Sequence, residues 1–578
     1  MDIFALTHGW SGLALGYASV QAPMWAGLMR GRAAAHKYFL SPLVAAPLTA
    51  IAGIGMTAAS PLLAGLGMAP HGMVQFALGT AVSMALGYTG GRVEAEDVSN
   101  PKIHQRGAVV ADEAGRPGRP NTAKNSNAHR RQITLAGTAF SMADETKHFK
   151  LIGTTGTGKS SAIQEILRTA LQRGDRAVIA DPDGGYLNRF YDAERGDLVL
   201  NPFDERSVKW DLFAEIKNAY DVDQLARSLI PDHEGADRSW RGYARTFFSA
   251  VTRQAHEWGV NDLGELYRLL VVADTNELRT LVKGTPAQPF LDEHNSRMFD
   301  SIRSVTSSAV GALDYIAQQK GPKFSIREWV SGNGNKNGNG SGSGYGSGSG
   351  NRNERPSGVL FIPYRAGQIA ALRSTISGWM RLAIFEAMDQ EQQEQPDAED
   401  SRRLWFVVDE LDALGQIDGL KDALARLRKF GGRCVLGFQS IAQVSSTYGQ
   451  GDAHTIVENC ANTLILRCSA SEGGGTARFA SQLIGEREVL RTTVSRSSRP
   501  TEFFGSVSRS EHFNVEPAVL PAQIEQLPDL AGYLKRASDP QWHRVRLDAV
   551  RRWNESRAAQ RGSPPTDLHL GREGNTHE

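Results

Sequence analysis

Between residues 39 and 91 the chain carries no Asp, Glu, Lys or Arg, a stretch of 53 residues. A membrane-crossing helix needs roughly 20 apolar residues. The stretch therefore predicts two spans, at 39–59 and 72–88, with Pro61, Pro70, His71 and Gly72 between them. A buried Ala/Gly-rich hairpin is the alternative, but soluble helices rarely stay uncharged over such a length. A cleaved signal peptide fits less well, because its apolar part is only about 7–15 residues long. Arg30, Arg32 and Lys37 precede the stretch, and Arg92, Lys102 and Arg106 follow it. The intervening loop has no Lys or Arg, so the positive-inside pattern predicts both ends in the cytoplasm. Residues 3–29, nearly free of charge and carrying Trp10 and Trp25, fit either an interfacial helix or a further span.

Beyond residue 92 the pattern changes. Residues 92–131 are rich in Arg, Asn, Gly and Pro and predict a polar connector. Strand-like segments follow at 133–135 and 148–152. In residues 203–330, runs such as "DVDQLARSLI" and "YARTFFSAVTRQAHEW" repeat apolar positions at i, i+3, i+4 and i+7, which predicts an all-helical insert. Residues 331–358 are Gly, Asn and Ser with almost nothing to bury, which predicts a flexible loop. Apolar runs return at 359–364, 404–410, 434–440 and 462–468, with helical segments between them. Short apolar strands alternating with helices predict an α/β domain whose parallel sheet is covered on both faces. The polar tail at 557–578 predicts no folded structure.

The predicted organisation is thus a membrane anchor at 1–91, a nucleotide-binding domain split into 92–202 and 359–556, an all-alpha domain at 203–330, the loop at 331–358 and the tail. The 578 residues include 64 Lys and Arg against 63 Asp and Glu. That near-neutral balance excludes a global basic field, so contact with nucleic acid has to come from a local patch or a ring of subunits. The three cysteines, Cys434, Cys460 and Cys468, form no C-x-x-C pair or zinc spacing, against a disulfide scaffold or structural metal.

The densest chemistry is "GTTGTGKS" at 153–160, a full match to G-x-x-x-x-G-K-[ST] between an apolar strand and an amphipathic helix. Gly153, Thr154, Thr155, Gly156, Thr157, Gly158, Lys159, Ser160 and Ser161 are expected to cradle the phosphates of ATP. Glycines let backbone N–H groups turn inward, and the helix N-terminus adds partial positive charge. Lys159 can reach the β- and γ-phosphates and Ser160 can ligate Mg²⁺. "LWFVVDE" runs apolar into Asp409, placed for the Mg²⁺ shell, and Glu410, placed as general base for water. Gln439 ends the next apolar strand, where it either senses the γ-phosphate or faces solvent. Arg428 lies in the basic cluster of Arg426, Lys429 and Arg433. From the residues alone it reads as a solvated helix end or a DNA contact rather than a catalytic group.

Together with "AVIADPDGGYLNRFY", "LVLNPFD", "RLWFVVDELDALGQIDGLKDALARLRKFGGRCVLGFQS" and "LPAQIEQLPDLAGYL", these motifs resemble the type IV secretion system coupling proteins of bacterial conjugation, the TrwB/TraD/VirD4 family, and TrwB-like conjugative coupling ATPases most of all. The resemblance implies a RecA-like P-loop ATPase domain with an all-helical insert and an N-terminal two-helix transmembrane anchor. It implies a multi-pass protein of the bacterial inner membrane that forms a homo-hexamer with its ATPase domain in the cytoplasm. Its implied partners are single-stranded and double-stranded DNA, a relaxase (relaxosome), type IV secretion inner-membrane components and membrane lipid. The implied work is ATP-driven pumping of single-stranded DNA into the secretion channel. On this resemblance Lys159, Glu410 and Gln439 are catalytic, Ser160 and Asp409 hold the metal, Asp181 ends an acidic strand near the nucleotide, and Arg428 falls at a trans-acting arginine finger. Two alternatives stay open at this level: a DNA translocase of the chromosome-segregation type, and a secretion ATPase for protein effectors only.

Overall fold

The computed structural model describes residues 10–65, 71–95, 103–111, 132–232, 238–332, 358–389, 403–471, 474–497 and 506–548. The predicted flexible loop, but for its ends, and the whole predicted tail lie outside these residues. Two compact units result, one of residues 1–107 with 487–516 and one of 108–486 with 517–578.

The first unit contains three helices, α1 (Trp10–Arg30), α2 (Ala35–Gly65) and α3 (His71–Ala95). Residues 10–30, most of the segment read as either interfacial or spanning, form helix α1, which is compatible with both readings. It packs along α3 through Gly27 and Gly31 on one side and Gly87 and Gly91 on the other, a reciprocal G-x-x-x-G spacing. A Cβ added at Gly27 would lie 2.2 Å from the Met84 carbonyl oxygen, and one at Gly87 2.2 Å from that of Met24. Only glycine permits backbones to approach so closely. Phe39, Leu43, Ile51 and Ile54 of α2 point outward and are exposed. Among the described residues no helix is long and apolar enough to cross a membrane. The spans predicted at 39–59 and 72–88 both run into 55–76, where side chains lie outside the described set. The same unit holds a three-stranded sheet that the sequence did not suggest, formed by β1 (Ile103–Gly107) beside β14 (Glu486–Ser497) and β15 (Ser506–Pro517). Residues 103–107 were expected in a connector and 487–516 in the nucleotide-binding domain. Arg and Glu interleave with the apolar positions of these strands, so their alternation is weak in the sequence.

The second unit is built on one mixed sheet. Its strands are β2 (Val110–Ala111), β5 (Phe149–Ile152), β6 (Arg176–Pro182), β7 (Leu198–Val199), β10 (Val359–Tyr364), β11 (Leu404–Val408), β12 (Gly432–Phe438), β13 (Asn462–Ile465), β16 (Ala531–Lys535) and β17 (Trp542–Arg546). Their order is β2-β17-β16-β13-β5-β12-β11-β6-β10-β7. The seven from β13 to β7 are parallel. β16 and β17 extend the sheet antiparallel, a feature the prediction of a purely parallel sheet missed. A short hairpin of β3 (Thr134–Leu135) and β4 (Thr138–Ala139) precedes β5.

Strand alternation explains why the runs read as continuously apolar. Phe149, Leu151, Ile179, Phe361, Trp405, Val407, Val435 and Leu464 share one core with Ile163, Ile166 and Leu167 of the helix Lys159–Gln172. Val178, Leu360, Ile362, Phe406, Val408 and Leu436 point the other way, into a core shared with the helices of 212–330 and with Ile369–Asp389. The helical segment therefore has no separate core. Nor is it wholly helical: β8 (Lys209–Trp210) and β9 (Lys323–Phe324) pair in parallel and close its base.

Candidate nucleotide site

Register places four strand ends side by side. Ile152 of β5 is opposite Phe438 of β12, and Val408 of β11 is opposite both Leu436 and Ala180 of β6. The chain leaves these carboxyl ends through the phosphate loop, Gln439, Asp409 and Asp181, the edge at which open α/β sheets bind ligands.

The loop is pinned before any ligand arrives. Gly153 N donates to Phe438 O (3.3 Å) and Thr154 N to Arg467 O (2.9 Å), while Leu530 N donates to Thr157 O (2.9 Å). The Thr157 hydroxyl closes the turn on Thr154 O at 2.7 Å. Gly158, the N-cap of Lys159–Gln172, has φ +117°. A Cβ there would also meet the tip of the Leu530 side chain at 2.8 Å, but it is the left-handed backbone that favours glycine. Lys159 is buried and donates to Gly153 O (2.6 Å) and Thr154 O (3.3 Å). Burial lowers its pKa, while Asp409 and Glu410 pull it back up.

The acidic side meets the loop directly. The Ser160 hydroxyl donates to Asp409 Oδ2 at 2.7 Å. The same oxygen accepts from the Tyr186 hydroxyl at 2.7 Å. Asp409 Oδ1 is buried with no hydrogen-bond partner among the described residues. A hydroxyl beside a carboxylate with one oxygen unused is the hard donor set that suits Mg²⁺. Glu410 Oε1 accepts from Gln439 Nε2 (2.8 Å), and Gln439 Oε1 accepts from the Thr155 hydroxyl (2.9 Å). The two hydrogen bonds run in series from the phosphate loop to Glu410. Burial, then the Asp409 charge, raises the Glu410 pKa, which suits a general base working near neutrality.

Asp181 is fully buried at the end of β6 and accepts from Tyr186 N (3.1 Å) and Leu187 N (2.7 Å). Burial pushes its carboxyl up to about 6 against the pull of these amides. Ser161 lies in the first turn of Lys159–Gln172. Arg428 is not brought to this edge. It is exposed and lies just before β12, whereas Gln439 follows the strand's other end. Seven residues at about 3.3 Å each separate the two ends by roughly 20 Å. Tyr186 and Tyr364 were missed. The signal for Tyr186 was the glycine pair after the acidic strand end in "DPDGGY", where Gly184 takes φ +71° and turns the chain back toward Asp409. Tyr364 ends β10, is buried, and has a hydroxyl with no hydrogen-bond partner among the described residues. Burial, then the charges of Glu410 and Asp409, raises its pKa.

Comparison with known proteins matches residues 132–548 to the family described as type IV secretion-system coupling protein DNA-binding domain. The coupling protein TraD of Escherichia coli K12 is 31% identical over 394 residues, 68% of this chain and 51% of that protein. The type IV secretion system-coupling protein VirD4 of Bartonella quintana is 28% identical over 130 residues, 22% of this chain and 20% of its own length. The chain thus spans about half the length of the first of these relatives and less of the other. Among solved structures, the plasmid coupling protein TrwB in complex with the ATP analogue ADPNP superposes with a TM-score of 0.63 at 29% identity, covering 78% of this chain and 96% of that one. TrwB in complex with ADP and Mg²⁺ gives the same score and identity, covering 78% and 95%. On its fold and on the match over residues 132–548, the chain belongs to the type IV secretion-system coupling proteins.

Proposed function

We propose that the chain is a membrane-anchored, Mg²⁺-dependent ATPase that couples DNA to a type IV secretion channel during conjugation. The observation that carries the ATPase reading is the 2.7 Å contact of Ser160 with Asp409, which joins the phosphate loop to the second acidic motif. TrwB supports the choice of ligand, since it has been solved with ADPNP and with ADP and Mg²⁺.

On this reading the loop residues 153–161 cradle the phosphates, and the Lys159 ammonium exchanges its two carbonyl partners for phosphate oxygens. Ser160 and Asp409 would hold Mg²⁺, which would supply charge neutralisation at the phosphates. Glu410 takes the proton from the attacking water as the water oxygen bonds to the γ-phosphorus, the bond from that phosphorus to the β,γ-bridging oxygen breaks, and ADP leaves with phosphate. Gln439, already bonded to Glu410 and Thr155, orients that water. Arg428 cannot reach its own site, so it serves a neighbouring subunit of a ring, where a guanidinium stabilises charge on the transferred phosphoryl group.

The inner-membrane anchor, with the ATPase domain in the cytoplasm, belongs to the same proposal. The uncharged stretch 39–91 supports it, as do the outward apolar residues of α1, α2 and α3, among them Leu15, Met29, Phe39, Leu43 and Leu78. A homo-hexamer, a relaxase–DNA load and transport of single-stranded DNA are its remaining parts, supported by the family. The test is ATP turnover and mating transfer by Lys159→Ala and Asp409→Ala chains. Loss of both activities is expected, and wild-type transfer by either chain would sink the motor reading.

A further inference from the structure

The two oxygens of the Asp409 carboxylate are unequally used. Oδ2 accepts two hydroxyl hydrogen bonds, from Ser160 and Tyr186, each at 2.7 Å. Oδ1 is buried and unused among the described residues. The terminal torsion of an Asp side chain is soft and roughly two-fold, so nothing in the residue itself fixes which oxygen faces the phosphate loop. Ser160 is exposed, and its hydroxyl donor is a rotor that could follow either oxygen. Tyr186 differs, with a side chain only 2% exposed. Its backbone N–H and that of Leu187 are both held by the Asp181 carboxylate, at 3.1 and 2.7 Å.

We propose that Tyr186 is a positioning residue for metal binding: its phenol clamps Oδ2 of Asp409 and leaves Oδ1 as the oxygen not taken up by a hydrogen bond and so left for a divalent cation, while Asp181 fixes the turn that carries the phenol. This rests on the reading that Asp409 and Ser160 hold Mg²⁺. It assigns a task to Asp181 as well, whose carboxylate orients the tyrosine rather than meeting the nucleotide. Partners that orient a metal ligand are typically worth about 10–100-fold in metal affinity.

The test is binding of a fluorescent ADP analogue to the full chain, titrated with Mg²⁺ and repeated in EDTA. Tyr186→Phe keeps the ring and removes one hydroxyl. It is expected to raise the half-saturating Mg²⁺ about tenfold while affinity in EDTA stays unchanged. Asp181→Asn, which keeps one acceptor for the two amides, is expected to shift it the same way by less. A Mg²⁺ requirement unchanged in Tyr186→Phe, or an equal loss of binding in EDTA, overturns the positioning role. Asp409→Ala separates the two ideas. If it raises the Mg²⁺ requirement and Tyr186→Phe does not, the positioning role alone fails. If Asp409→Ala leaves the requirement unchanged, the metal reading and the positioning role fall together.

Discussion

Glu410 shows how position sets the chemistry of a single side chain. It follows a fully buried strand, beside a second carboxylate, and its pKa is raised by burial and by Asp409. In its proposed role as general base it must be deprotonated to act, so turnover is expected to be lost as pH falls through that raised pKa. Glu410→Gln is expected to lower kcat by about 10²–10⁴-fold and to abolish the acid limb of the pH–rate profile, with nucleotide affinity retained. Steady-state rates from pH 5 to 9 with parallel binding measurements check this. Lys159, Glu410 and Gln439, the residues proposed as catalytic, could be picked out because strand ends and the G-x-x-x-x-G-K-[ST] spacing are local signals. Tyr186 was not, because its partner Asp409 lies 223 positions away and only the sheet brings them together.

At the scale of elements, close approach between neighbours fixes where the site residues sit. A Cβ on Gly437 of β12 would lie 2.3 Å from the Asp409 backbone oxygen. Backbone cannot yield as a side-chain tip can, so Gly437→Ala is expected to cost about 1–3 kcal/mol, seen as a lowered unfolding midpoint, and to weaken Mg²⁺-dependent nucleotide binding.

At the opposite end of the strands, His148 joins β5 to the helix Leu420–Leu427. Its Nδ1 accepts from Cys434 N (3.1 Å), so the neutral ring donates from Nε2 to Leu424 O (2.9 Å). Burial pushes its pKa down from 6.5 to about 4, with Arg433 and Arg428 adding to the effect. The folded state then binds fewer protons than the unfolded one. Its stabilising contribution is present above pH 6.5 and falls away as pH drops toward 4, by about 3 kcal/mol in all. Unfolding midpoints measured across this window check it, and a flat profile contradicts it.

Beside His148, Glu145 accepts from Arg173 (2.6 Å) and Arg433 (2.9 Å), and all three side chains are at most 5% exposed. Glu145→Ala leaves two buried guanidiniums short of charge and is expected to cost about 3–5 kcal/mol, read from denaturant unfolding. The buried parallel strands could be found from the sequence because both faces of the sheet are covered and each strand is a continuous apolar run. Strands β14 and β15 could not, because exposed strands mix charges with apolar residues.

For the whole molecule, the distance between Arg428 and its own site turns a question about one residue into one about assembly. Arg428→Ala chains are expected to be inactive alone. Mixed with Lys159→Ala chains, which supply intact arginines to neighbouring sites, they are expected to regain part of the ATP turnover, and no recovery would assign Arg428 a local role. DNA binding by such a near-neutral chain rests on local phosphate contacts, so affinity is expected to fall steeply between 50 and 200 mM salt. The load itself was not legible in the phosphate loop, which reports only the fuel. The proposed load, DNA, rests on motifs spread over the chain and on the match of residues 132–548 to a family described as a DNA-binding domain. One site, closed by Ser160 on Asp409 and by Gln439 on Glu410, is proposed to burn ATP to move DNA. The most direct test is ATP turnover by the full chain, wild type against Glu410→Gln, with and without single-stranded DNA. The wild type is expected to turn over ATP faster with DNA, and the variant to bind nucleotide without turnover. Equal turnover by the two chains would contradict it.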